Sequence, residues 1–238
     1  MADSHVCLDY VCLDLETTGL DPKRDKIIEI GAVRVRAGEI TARMETLVNP
    51  GRMLEERIVE LTGISDKDLE GAPDVAEVLP ELLAFIGDDI LLGHSVLFDY
   101  SFVKKAAVNQ RLSFEKEGID TLKIARKFLA DLESRSLGSL CDHFGIGHSA
   151  HRALADAEAT TALYKKLTEL FYEGNEADFA PGTLQYRARR ETPITIPQKE
   201  QLYKFIDRHK IDIGCNINKL TRSEASRLMT RLLAEYGR

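Results

Sequence analysis

Three apolar, strand-like segments within the first fifty residues restrict this chain to folds built around a β-sheet. They span residues 6–14, 27–36 and 39–48. Gly38-Glu39 marks a turn between the second and third segments, which predicts an antiparallel pair. After them, helical and strand-like patterns alternate. We predict helices at 74–86, from about 99, at 122–131, ending at Gly145 and at 152–172, with short strands at 90–93 and 119–121. This order predicts an α/β fold.

The first strand-like segment ends in two acidic residues, Asp14 and Glu16. Side chains alternate along a strand, so both should point to one face while Leu13 and Leu15 point to the other. Two adjacent carboxylates suit a hard cation such as Mg²⁺. An edge strand with two solvated acids explains the pair equally well.

Asp99 follows a short apolar run and lies near the start of a predicted helix. A carboxylate there could face the same centre as Asp14 and Glu16. Asp is also a favoured helix N-cap, and that alternative stays open. His94, on the same connection, could contact a substrate or serve as a hydrogen-bonded structural residue.

His151 and Asp156 are five residues apart, which on one helix would rotate them by about 140° from each other. We therefore expect His151 on the loop before the last long helix and Asp156 within its first turns. Alternate alanines between 153 and 159 would let this helix approach a neighbour closely. A first-turn acid favoured by the helix dipole and a surface histidine are the alternatives.

Three motifs, DLETTGL, HSVLFDYSFV and HRALADAEAT, together resemble the DEDDh group of 3′–5′ exonucleases. The resemblance covers roughly residues 8–172 and is closest to proofreading exonucleases, including the epsilon subunit or domain of bacterial DNA polymerase III. It implies a ribonuclease-H-like fold, with a mixed five-stranded sheet flanked by helices. Ser95 departs from the family, which usually has Asn there, and this puts local substrate contacts in doubt.

The resemblance also implies a two-metal site. Asp14, Glu16 and Asp156 would hold one Mg²⁺ or Mn²⁺ ion, and Asp14 would also touch a second. Asp99 would act on the second ion through water, and His151 would be the general base. The predicted substrate contacts are Thr17, Thr18, Gly19, Leu20, His94, Ser95 and Phe102.

Composition is consistent with an intracellular, cytoplasmic enzyme. No apolar run approaches the ~20 residues needed to cross a bilayer, and the start of the chain lacks the features of a signal peptide. Four cysteines without paired spacing predict reduced thiols. Cys141, His143 and His148 lack a nearby second cysteine, which makes a zinc site a remote alternative.

The predicted exonuclease domain (residues 1–173) is followed by a linker (174–197) and a small helical accessory module (198–238). The chain has net charge −7, whereas residues 175–238 carry 12 basic and 8 acidic side chains. The module could bind nucleic acid through Lys219, Arg222, Arg227 and Arg231, or it could be a helical hairpin with a solvated basic face.

Three functions follow from the sequence. The leading one is a DNA exonuclease acting on single-stranded or frayed 3′ ends, with a polymerase or a replication or repair protein as a possible partner. The second is the same chemistry on RNA. The third is a metal-binding recruitment module without turnover, which the complete set of five site residues disfavours.

Overall fold

A mixed six-stranded sheet organises the first three quarters of the chain. The structure is a computed structural model that describes residues 6–147 and 151–237. The sheet order is β3-β2-β1-β4-β5-β6; β1, β4 and β5 run parallel, and the other neighbouring pairs are antiparallel. The strands are β1 (Tyr10–Thr17), β2 (Ile27–Arg36), β3 (Glu39–Leu47), β4 (Leu91–Gly93), β5 (Glu117–Asp120) and β6 (Gly182–Thr183).

Eight α-helices accompany the strands in the described residues. Two short 3₁₀ turns, Glu176–Asp178 and Ile217–Lys219, complete the regular structure there. The helices are α1 (Glu56–Thr62), α2 (Val75–Ile86), α3 (Val96–Asn109), α4 (Thr121–Phe128), α5 (Leu137–Phe144), α6 (Ala153–Phe171), α7 (Ile196–His209) and α8 (Arg222–Tyr236).

The two faces of the sheet each have their own hydrophobic core, and β1 contributes alternate residues to both. Val11, Leu13 and Leu15 enter a core formed with α2 and α3. Tyr10 and Cys12 enter a second core that includes residues of α4, α5 and α6. This alternation confirms the predicted assignment of Leu13 and Leu15 to one face and places Asp14 and Glu16 on the other.

The fold class is confirmed, and the differences from the sequence prediction are local. β1 begins and ends three or four residues later than predicted, because it pairs with β2 as far as Thr17. The helix expected from about residue 99 begins at Val96. Helix α1 and the two-residue strand β6 were not predicted, and β6 makes the sheet six-stranded instead of five-stranded.

The segment predicted as a linker lies against the rest of the protein. Phe179 is 2% exposed in the second core, and Leu184 is 6% exposed in the first. The Lys105 ammonium group donates a 2.6 Å hydrogen bond to the Arg189 carbonyl. We call residues 6–147 and 151–186 the body.

The last two helices form a separate small core, and we call residues 194–237 the C-terminal module. Both helices begin with a reciprocal capping box, Thr195 with Gln198 and Thr221 with Glu224. Lys26 of the body forms a 2.7 Å ion pair with Glu224. The module core comprises Ile194, Leu202, Phe205, Ile217, Ala225, Leu228, Met229 and Leu232.

The helices of the described residues include none that is long and apolar enough to cross a membrane. Cys7, Cys12, Cys141 and Cys215 are free in the structure.

Candidate metal-dependent exonuclease site

The predicted acidic residues converge where β1 meets the N-termini of α3 and α6. Asp14, Glu16 and Asp156 each offer a carboxylate oxygen, and these oxygens lie within 4.8 Å of one another. Asp99 reaches the same strand from α3, because its Oδ1 accepts a 3.1 Å hydrogen bond from the Leu15 amide. Four carboxylates from three distant segments therefore meet at one place.

Helix α6 brings Asp156 to this centre through an unusually close approach to the sheet. Gly31 on β2 is the direct cross-strand partner of Asp14. A Cβ atom at Gly31 would overlap the backbone of Ala153 and Leu154. Only glycine lets the start of α6 lie so close to β2, so Gly31 is a site-building residue that the sequence prediction missed.

His151 lies on the turn before α6, as predicted. Its backbone is in the left-handed region, with φ of 64°, a conformation in which His is enriched among non-glycine residues. The His151 amide donates a 2.9 Å hydrogen bond to Asp156 Oδ2. His151 is exposed, whereas Asp156 beside it is only 7% exposed. The turn thus places His151, an exposed residue, next to the acidic cluster.

Asp99 is not the N-cap of α3, which resolves one alternative from the sequence. The N-cap is Ser95, and Asp99 lies in the first helical turn with 3% of its surface exposed. The positive end of the helix dipole favours a carboxylate there. Because Ser95 has φ of 76°, the Asn usual in the family would tolerate this left-handed position better than Ser does.

Burial and the repulsion of neighbouring carboxylates make Asp14, Glu16 and Asp99 hard to ionise. Desolvation raises the pKa of Asp14 well above its usual value, and Asp99, Asp156 and Glu16 raise it further. Desolvation likewise raises the pKa of Glu16 to about 7, with Asp156 adding to the effect. Desolvation also raises the pKa of Asp99 well above its usual value. A bound cation would relieve this cost.

The donor set fits a hard divalent cation. Every candidate ligand atom is a carboxylate oxygen, the donor type that Mg²⁺ and Mn²⁺ prefer. In the part of the chain that the structure describes, Asp14, Glu16 and Asp156 are the one group of three potential ligands that meet. His148, named in the zinc alternative, lies outside the described residues.

The loop after β1 borders the acidic cluster and is closed by hydrogen bonds. The Thr18 hydroxyl accepts from the Lys26 amide at 3.0 Å, and Arg52 donates to both Thr18 and Asp25. Thr17 and Thr18 are buried, whereas Gly19 is partly exposed. Leu20, at its tip, is 85% exposed.

Two residues predicted to contact substrate, His94 and Phe102, have their side chains in contact with other parts of the protein. His94 Nδ1 pairs with the Thr121 hydroxyl at 3.0 Å and Nε2 with the Arg135 carbonyl at 2.8 Å, in keeping with its structural alternative. Phe102 is 3% exposed in the first core, so the prediction that it contacts substrate does not fit the structure. Phe98, one turn earlier, packs against it and is partly exposed.

Comparison with known proteins identifies the family of this chain and its fold. A family model described as "Exonuclease" (RNase_T) matches residues 11–164. The chain belongs to this exonuclease family. It is 40% identical over 182 residues to the DNA polymerase III subunit epsilon of Aquifex aeolicus, a match that covers 75% of this chain and 90% of that protein.

Other relatives are much longer than this chain. The chain is 36% identical over 229 residues to the DNA polymerase III PolC-type protein of Oceanobacillus iheyensis. That match covers 90% of this chain but only 16% of the relative, so this chain corresponds to one segment of that protein.

Solved structures of exonucleases share the fold. Exonuclease X in complex with 5′ overhanging duplex DNA superimposes with a TM-score of 0.57 at 25% identity, covering 72% of this chain and 99% of that one. The nuclease domain of 3′hExo, a DEDDh family member bound to rAMP, gives 0.62 at 20% identity, covering 77% and 100%. These findings confirm the predicted resemblance and architecture.

Proposed function

We propose that this protein is a metal-dependent 3′–5′ exonuclease that hydrolyses DNA at single-stranded or frayed 3′ ends and releases nucleoside 5′-monophosphates. The observation that carries the proposal is the meeting of four carboxylates beside an exposed histidine, at the place where two helix N-termini reach the sheet. Family membership and the DNA polymerase relatives support DNA as the substrate.

We assign the carboxylates to two divalent cations, Mg²⁺ or Mn²⁺. Asp14, Glu16 and Asp156 would hold one ion. Asp14 would also contact the other, on which Asp99 would act through water. When bound, the ions supply positive charge that stabilises the attacking and leaving oxygens of the displacement at phosphorus. The raised pKa values of Asp14 and Glu16 support this assignment, because a cation favours the ionised carboxylates.

His151 acts as the general base. One of its imidazole nitrogens takes a proton from the attacking water as the water oxygen bonds to phosphorus. The bond from phosphorus to the 3′ oxygen of the preceding nucleotide breaks, and that oxygen takes up a proton from water to become the 3′ hydroxyl of the shortened strand. The terminal nucleotide leaves as its 5′-monophosphate. Imidazole has an ordinary pKa near neutrality and is therefore suited to this transfer.

The loop after β1 and the start of α3 bind the terminal nucleotide. The backbone at Thr17, Thr18 and Gly19 approaches the sugar and phosphate, and the exposed Leu20 packs against the base. Phe98 offers on α3 the partly exposed aromatic surface that Phe102 lacks. His94 shapes this connection through its hydrogen bonds to Thr121 and Arg135, and Ser95 is the N-cap of α3.

The C-terminal module extends the contact with the nucleic acid. Arg222, Arg227 and Arg231 of α8 are exposed, which supports binding to phosphates beyond the terminal nucleotide. Lys219 is mostly exposed but hydrogen-bonds to Asp74 at 3.3 Å. The relatives are bacterial replication proteins, so we propose a cytoplasmic role with a polymerase as partner.

Single-turnover degradation of a labelled oligonucleotide tests the proposal. His151→Gln should lower the rate by at least about 100-fold, because removal of a general base typically costs 10²–10⁴-fold. It should leave Mg²⁺-induced thermal stabilisation nearly unchanged, because the carboxylates remain. An unchanged rate in His151→Gln would contradict the assignment of His151 as general base. If RNA were cleaved faster than DNA of the same sequence, the preferred substrate would be RNA.

A further inference from the structure

A fully buried carboxylate, Glu29, lies beside the candidate site without belonging to the group of metal ligands. Glu29 is 0% exposed and is the direct cross-strand partner of Glu16 on β2. Facing residues of an antiparallel pair point to the same side of the sheet, so two acids stand next to each other here. Like charges in that arrangement are unfavourable, and a compensating interaction is required.

Arg152 and the first amide of α6 supply that compensation. Arg152 donates to Glu29 Oε1 from Nε at 3.0 Å and from Nη2 at 2.8 Å. The Ala153 amide donates to Glu29 Oε2 at 2.9 Å. Both carboxylate oxygens are therefore used, and both bind residues that directly follow His151 in the chain.

The His151 turn is thus held from two sides. Asp156 accepts a hydrogen bond from the His151 amide, whereas Glu29 fixes Arg152 and Ala153. His151 has a left-handed backbone conformation that is uncommon outside glycine, and such a conformation persists where the surrounding structure holds it. Glu29 on β2 provides this restraint by accepting three hydrogen bonds from Arg152 and Ala153.

We propose that Glu29 is a positioning residue that acts through His151: its contacts with Arg152 and Ala153 set the place of the imidazole relative to the reacting phosphate. The inference rests on the proposed exonuclease function and deepens it. Glu29 neither binds the cations nor touches the substrate. Its loss should therefore lower kcat and change KM little, because substrate binding is preserved while the base is displaced.

Glu29→Gln is the first test, because glutamine keeps the shape and one acceptor but loses the charge. Arg152 has half of its side chain exposed and can turn toward water or Glu45, so the fold should survive. We expect kcat on single-stranded DNA to fall about 10–100-fold, a typical loss when a residue that orients a catalytic group is changed. Arg152→Lys, which keeps the charge but loses the two-pronged contact, should reproduce the loss.

Glu45→Gln is the matched control. Glu45 accepts from the same guanidinium group, at 3.1 Å, but lies outside the buried contact with 44% of its side chain exposed. It should change kcat less than about twofold. An equal loss in Glu45→Gln and Glu29→Gln would show that the charge near Arg152 matters and not the hold on the turn, and would overturn the proposal.

A double-mutant cycle with His151 separates positioning from a general structural role. If Glu29 acts through His151, Glu29→Gln should lower kcat less than about threefold in a His151→Gln background. A full 10–100-fold loss in both backgrounds would contradict the proposal. Full activity of His151→Gln alone would instead contradict the general-base assignment, so the two failures can be told apart.

Discussion

The body and the C-terminal module bury different kinds of side chain. The module core is entirely apolar, and both of its α-helices start with complete capping boxes. The body buries Asp99, Asp156 and Glu29 nearly completely, with Glu16 only 9% exposed. Buried like charges destabilise a fold, whereas capping and apolar packing stabilise it. The body is therefore less stable at its site than apolar packing would make it, a pattern typical of functional sites.

Replacement of Asp14 by Asn should have the largest effect on activity. We expect a fall on the order of 10³-fold or more, because a residue assigned to both cations is lost. The metal-free protein should melt at the same temperature as the parent or higher, because the change removes repulsion in the cluster. Activity assays and melting curves in EDTA provide the measurement. A melting temperature lowered as in a core variant would contradict the view that Asp14 costs stability.

Leu202→Ala should destabilise the C-terminal module and leave the activity of the body nearly unchanged. Leu202 is 1% exposed in the module core, so truncation should cost about 2–5 kcal/mol of module stability. Hydrolysis of a short single-stranded oligonucleotide should stay within about twofold, because the module core contains none of the carboxylates. Leu82→Ala, which empties a fully buried position in the body, is the control and should lower both stability and activity. Equal loss of activity in the two variants would show that the regions are not separable.

The cation and pH should affect the body's stability together. The pKa of Glu16 is about 7 in the folded protein and near 4.5 when unfolded, so the folded state binds more protons. This contribution to stability is complete below about pH 4.5 and is lost as the pH rises through 7. Mg²⁺ should therefore raise the melting temperature more at pH 8 than at pH 5.5, by a few degrees at this chain length. Equal stabilisation at both pH values would contradict the assignment.

Removal of the Lys26–Glu224 ion pair between the body and the C-terminal module should have the smallest effect, a small loss in the free energy of unfolding. Lys26 and Glu224 are 30% and 14% exposed, and partly exposed ion pairs contribute roughly 0.2–1 kcal/mol. Glu224→Gln keeps an acceptor for the Thr221 amide and thus the cap, but removes the charge. A double-mutant cycle with Lys26→Met, followed by urea unfolding, measures the coupling. No coupling would show that the module is held to the body by other contacts.

The sequence predicted the elements whose signal is local. Helix α2 agrees closely because Asp74 caps it and Glu77 completes the capping box. The placement of His151 before α6 and Asp156 in its first turn followed from their five-residue spacing. In contrast, the seven-residue helix α1 is too short to give a clear periodic pattern.

The features that the sequence did not predict depend on contacts between distant segments, which leave no local pattern in a single sequence. The close approach of Gly31 to α6 and the hydrogen bonds of Glu29 to Arg152 each join β2 to residues more than a hundred positions away. Phe102 was assigned to substrate because it lies in a family motif, but its position on α3 points it into the core. Helix faces are fixed by packing, so neighbouring motif residues can have opposite roles.

The most direct test of the central claim is degradation of one oligonucleotide labelled at its 5′ end and, separately, at its 3′ end. The assay uses single-stranded DNA and RNA of the same sequence, with Mg²⁺ or Mn²⁺ and again with EDTA, beside Asp14→Asn. We predict that the 3′ label is released at once as a mononucleotide. The 5′-labelled strand should shorten stepwise, only with metal, faster for DNA and not with Asp14→Asn. Folded wild-type protein that leaves both strands intact with metal, or that removes the 5′ label first, would contradict the account.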